Sequence, residues 1–245
     1  MARGNWANRL GACAKWAGIA AVVIPFAGTT LARYDIIDKM SGFYTVAIGL
    51  LLALAGIAVA VLALLTGIGV RGVSRKGSVI GLVASGAFLA LIASYVIPAS
   101  GAPPIHDATT DLANPPQFKV LPMRKDNLVI VETVENWQKI HARAYPDLKP
   151  VTVARPVAEV IADADRIAKA RGWAVAISDP AKGHFEATSY AAWIKFRDDV
   201  VLRVVATPDG KGSTVDMRSV SQVGGGDLGY NAERIRSFLK ELQGG

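Results

Sequence analysis

The run from Ser41 to Val70 holds no charged residue, and it limits what this chain can fold into more than any other feature. A helix of that length crosses a hydrocarbon core of about 30 Å at roughly 1.5 Å per residue. A globular domain has no use for a helix that is apolar on every face over such a distance. The sequence therefore predicts a membrane protein with spans at about residues 13–31, 42–70 and 78–97. Lys15 and Trp16 stand where interface anchors belong, and Pro25 interrupts the first span.

Charge divides the chain in the same place. Residues 1–97 carry eight basic and two acidic side chains, whereas residues 98–245 carry 19 basic and 18 acidic. The formal net charge of +7 thus lies beside the spans, which argues for membrane topology and against a nucleic-acid partner. Arg3, Arg9 and Lys15 predict a cytoplasmic N-terminus, the neutral loop Ala32–Met40 lies outside, and Arg71, Arg75 and Lys76 return to the cytoplasm. Three spans then place the C-terminal domain in the periplasm of a bacterial inner-membrane protein. The single cysteine, Cys13, precedes an apolar run, which is the wrong order for a lipoprotein signal.

Small residues recur within the spans. Gly77, Gly81 and Ser85 repeat every four residues, as do Gly56 and Ala60. Such rows allow close helix approach, either within this bundle or against the helix of an integral membrane partner.

After the spans, residues 98–126 form a Pro-rich connector, and residues 127–245 form a domain of ordinary soluble composition. The pattern predicts a short helix over 134–144, an amphipathic helix after Pro156 that ends at Gly172, and a last helix capped by Asn231. Between them, candidate strands run over 173–178, 185–196, 200–207 and 213–220, with turns at Arg197-Asp198-Asp199 and at 208–212. The expected fold is a three-helix transmembrane bundle followed by a two-layer α+β domain, with a four-stranded antiparallel sheet and two helices on one face.

Several motifs within this domain resemble a known family. Pro104-Ile105-His106-Asp107-Ala108-Thr109-Thr110-Asp111, then Pro115-Pro116-Gln117-Phe118, is similar to the opening signature of the domain of unknown function family DUF1499. Phe196-Arg197-Asp198-Asp199-Val200, Arg218–Gly224 and Asp227-Leu228-Gly229-Tyr230-Asn231-Ala232 are similar to its later blocks. The resemblance implies a bacterial envelope protein and carries no established activity. The helix–sheet–helix order also resembles helix-grip domains, by architecture alone.

Chemistry concentrates in two places. His106, Asp107 and Asp111 could bind a metal or support a catalytic imidazole, although residues of this kind in a Pro-rich segment more often cap turns. Gly224–Gly226 before Asp227 could hold an anion, helped by Arg218 or Arg234, while Ser221 and Asn231 flank the same turn. Asp198 and Asp199 are expected to be solvated in a turn, and His141 and His184 to occupy surface or strand-face positions. No metal or cofactor motif emerges. The sequence favours a binding or accessory protein for a membrane or envelope partner. The alternatives are a hydrolase-like or metal-assisted envelope enzyme using His106, Asp107 and Asp111, and a protein that binds a lipid or apolar ligand.

Overall fold

The computed structural model describes residues 2–244, and the chain divides into two compact units, the first running to Pro98 and including Trp193–Lys195, the second formed by the remaining residues from Ala99 onward. The first unit comprises three helices: α1 (Ala2–Arg33), α2 (Lys39–Thr66) and α3 (Lys76–Val96). All three are long and apolar enough to cross a membrane. Their outward faces carry large apolar side chains such as Leu51, Leu54, Leu65 and Val83, which suits a surface solvated by lipid. The buried residues between the helices are mostly glycine, alanine and serine, joined by Pro25 and Phe88.

The four small residues read from the sequence lie inside this bundle. A Cβ added at Gly77 would fall 2.5 Å from the Gly11 carbonyl oxygen, and one at Gly81 would meet the Ala14 carbonyl. A Cβ at Gly56 would come within 2.9 Å of Ser85 Oγ. The backbones of α1 and α3 approach each other because these positions carry no side chain.

The second unit is an α+β domain. Its elements are β1 (Asp107–Thr109), α4 (Val134–Ala144), β2 (Val151–Val153), α5 (Val157–Ala170), β3 (Ala174–Asp179), β4 (His184–Ala191), β5 (Phe196–Ala206), β6 (Ser213–Ser221) and α6 (Tyr230–Gly244). The sheet is antiparallel with the order β1-β6-β5-β4-β3, and β2 also pairs with β6. It has six strands where the sequence pattern gives four. The additional strands, β1 and β2, are three residues each and lie in segments too short and too rich in proline for an alternation to register.

The turn between β4 and β5 also differs from expectation. It falls at 192–195, with Ala192 and Lys195 at positive φ, whereas Asp198 and Asp199 lie within β5. The long strand read over 185–196 is therefore two strands in part. The misplacement has a physical cause: both aspartates are buried, so their polarity marks an interior network and not a solvated turn.

Period-two alternation gives the sheet two dissimilar faces. Phe185 and Ala187 of β4, Val200, Leu202 and Val204 of β5, and Val215 and Met217 of β6 form one face. Val160, Ile161, Ala164 and Ile167 of α5 and Ile235, Phe238, Leu239 and Leu242 of α6 pack in the same core. α5 ends at Gly172, whose φ of 72° suits the left-handed position after a helix. The opposite face carries His184, Glu186, Thr188, Asp199, Arg203, Asp216 and Arg218, and this second face positions the candidate site.

Gly81→Leu is expected to lower the unfolding temperature of the detergent-solubilised protein by forcing α1 and α3 apart, at a cost of about 1–3 kcal/mol. Gly86→Leu, where an added Cβ meets nothing within 4 Å, should leave it nearly unchanged. Thermal unfolding followed by circular dichroism checks the pair, and equal effects would contradict this packing.

Candidate functional site

A sheet face rich in charge is normally left to water, but here the Pro-rich connector lies across it. Glu186 has no exposed surface, and its carboxylate accepts the backbone N–H groups of Lys119 at 2.6 Å, Val120 at 3.1 Å and Leu121 at 2.7 Å. Burial alone pushes such a carboxyl up, but these amides and the His184 ring hold Glu186 below the usual carboxylate range. His184 is itself buried on the strand face, with Nε2 2.6 Å from Glu186 Oε1. Arg203 donates to Asp111 and Asp216, each at 2.9 Å, and to the Asn114 carbonyl. Arg124 reaches back to the carbonyls of Ser221 and Gly224.

The cluster read from the sequence as reactive is dispersed among these tethers. Asp107 forms a two-pronged pair with Arg218, at 2.9 and 2.6 Å, and both side chains are buried. Asp111 pairs with Arg203 and accepts the N–H groups of Ala113 and Asn114, closing its own turn. The ring nitrogens of His106 face Gly225 O at 3.3 Å and Asn127 Oδ1 at 3.1 Å. Asn127 also donates to Asp107, so an amide stands between His106 and the carboxylate that a catalytic relay would need. Among the described residues, no group of three or more His, Cys, Asp or Glu side chains could hold a metal ion.

The glycine turn is likewise occupied. Asp227 accepts the N–H groups of Gly229 and Asn231 at the start of α6, and burial raises its carboxyl above the ordinary value. Asn231 does not cap the helix. It is fully buried and donates to the His106 carbonyl and to Ser221 Oγ, and it accepts from Ser219 Oγ. Arg234 pairs with Asp198, and Arg218 with Asp107, so neither guanidinium is available to an anion at this turn. The polar residues that mark the sequence serve to bolt β1, β6 and α6 together.

One structural group escaped the sequence reading. Trp137, His141 and Tyr145 repeat every four residues along and just beyond α4, with ring centroids 5.7 and 5.4 Å apart. Trp137 Nε1 donates to the Asp107 carbonyl, and His141 Nε2 accepts the Thr109 N–H, so the ladder satisfies the otherwise open edge of β1. The spacing of four was the available signal. Contrary to expectation, His141 is buried; burial lowers its pKa to about 4, against the charges of Asp107 and Asp147.

Where the connector leaves the sheet, a pocket of about 310 Å³ remains. Phe118, Pro122 and Met123 form its apolar wall, Asp199, Ser221 and Gln222 line the sheet side, and Arg124 and Lys125 complete it. Asp199 is 5% exposed. It accepts Thr188 Oγ1 at 2.7 Å and Gln222 Nε2 at 3.0 and 3.1 Å. Burial raises its pKa against those two bonds, and the charges of Asp198 and Glu186 add to the rise.

An antiparallel sheet with α5 and α6 in the core on one face and the connector tied across the other makes this a two-layer α+β domain. The family model of DUF1499, proteins of unknown function, matches residues 107–242, and the chain belongs to that family. No curated protein and no solved structure gives a match.

The His141 arrangement predicts acid sensitivity. The unfolded chain titrates this imidazole near pH 6.5, the folded chain only near 4, so the unfolded state binds more protons between those values. Stability should therefore fall as pH drops from about 6.5 towards 4. His141→Gln, which keeps an acceptor for Thr109, should flatten that part of the stability profile measured by denaturant unfolding. An unchanged slope would contradict the buried neutral imidazole.

Proposed function

We propose that this chain is a membrane-anchored binding or accessory protein, with its N-terminus in the cytoplasm and its α+β domain on the periplasmic side of a bacterial inner membrane. The observation that carries this reading is the internal engagement of the polar signature. Asp107, Asp111, His106, Arg218, Asn231 and Arg234 all bond to other parts of the same domain. Catalysis by His106, Asp107 and Asp111 would require breaking a buried ion pair, a loss of about 3–5 kcal/mol. A head held shut by its own carboxylates is suited to recognition.

The topology rests on Arg3, Arg9 and Lys15 in the N-terminal half of α1 and on Arg71, Arg75 and Lys76 at the α2–α3 connection, the side assigned to the cytoplasm. Partner and anchor roles are compatible with the three helices, whose outward faces remain apolar. The small-residue rows do not supply the partner surface, because Gly77, Gly81, Gly56 and Ser85 are engaged within the bundle.

Two measurements test the proposal together. Alkaline phosphatase fused after residue 245 should be active and a cytoplasmic reporter at the same site silent. Purification in mild detergent should recover a stoichiometric integral membrane protein. A C-terminus facing the cytosol, or a monomer without a companion in several detergents, would count against it.

A further inference from the structure

Five carboxylates of the α+β domain are buried: Asp107, Glu186, Asp198, Asp199 and Asp216. Asp107 meets Arg218, Asp198 meets Arg234, Asp216 meets Arg203 and Glu186 meets His184. Among the described residues, no Lys, Arg or His pairs with Asp199, which is held by one hydroxyl and one amide. A carboxylate taken out of water without a cation is costly to keep ionised, and the cost is met in proteins by a partner or by protonation. Asp199 differs from the other four in a second way: it forms part of a pocket wall, where a partner can arrive from outside.

The rest of the pocket describes that partner. A carboxylate has about four acceptor sites, and the Thr188 and Gln222 contacts fall mainly on Oδ1, so Oδ2 has room for a further donor. Arg124 is fixed by Asp126 and by the carbonyls of Ser221 and Gly224. Lys125 is exposed and lies beside the pocket, ready to receive an acidic group. Phe118, Pro122 and Met123 offer apolar surface for a short alkyl link, and about 310 Å³ lies at the small end of ligand sites.

We propose that this pocket binds a small zwitterion, with a primary ammonium group seated on Asp199 and an acidic group turned towards Lys125. The ligand supplies the cation that the fold gives to every other buried carboxylate of the domain. A phosphoethanolamine group has this chemistry, whether it arrives as a lipid headgroup or as a free soluble compound. The proposal goes beyond the accessory reading, since a protein partner need not touch the pocket.

The test uses the full chain in phosphatidylcholine nanodiscs, titrated calorimetrically with O-phosphoethanolamine. Saturable binding is expected, weaker by about tenfold or more for phosphocholine, which has no N–H to donate, and for Asp199→Asn. Lys125→Ala, on an exposed side chain, should weaken binding several-fold while leaving the unfolding temperature unchanged, and it keeps the test decisive if Asp199→Asn is poorly folded. Suppression of the signal when phosphatidylethanolamine replaces part of the disc lipid supports a headgroup source; an unaltered signal supports a soluble one. Absence of saturable binding to the folded protein at about 10 mM, or equal binding of phosphocholine, overturns the proposal. Neither result bears on recovery of a membrane partner, so the two proposals fail separately.

Discussion

Glu186 sits on the polar face of the sheet with no contact to water, and three consecutive backbone amides of the connector converge on its carboxylate. A carboxylate that accepts several N–H bonds in a dry setting is held ionised, and the segment that supplies those bonds is held in return. The same principle recurs along the connector. Asp107 on Arg218, Asp111 on Arg203 and Arg124 on the carbonyls beside β6 each tie one point of a proline-rich strand to the sheet. The prolines prevent the connector from forming a helix, and the charges determine where it lies instead. Without these ties the domain would present a charged sheet face to solvent and would lose the pocket beside Asp199.

Much of this architecture is legible in the sequence because it rests on periodicity. The three apolar helices, α5, α6 and the α4 segment all announce themselves through long apolar runs or i, i+3, i+4 spacing. What the sequence conceals is burial of charge. Asp198 and Asp199 have the composition of a turn, and only the positions of Arg234, Thr188 and Gln222 reveal them as interior strand residues. β1 and β2 are invisible for a different reason. Three residues cannot display an alternation, and their existence depends on β6 being there to pair with. His141 was misread because its role, accepting the Thr109 N–H, is created by a contact 32 positions away in the chain.

The candidate site was legible only in outline. His106, Asp107, Asp111, Arg218, Asn231 and Arg234 stand out in the sequence as polar residues, and each is bonded to other parts of the same domain. Residues that read as chemical in a sequence are often those that a fold needs for a polar interior, since a buried charge must find its partner. Asp199 is the informative exception. Its environment matches that of its neighbours in burial and departs from it in lacking a basic side chain, a distinction that only coordinates can draw.

The central claim is that the connector is part of the folded domain, fastened by Glu186. Amide hydrogen exchange on the full chain tests it most directly. The Lys119, Val120 and Leu121 amides should exchange as slowly as those of β5 in the native protein and accelerate by orders of magnitude in Glu186→Gln, while the β5 amides change little. Rapid exchange of those three amides in the native protein, at rates typical of an exposed loop, would contradict the account.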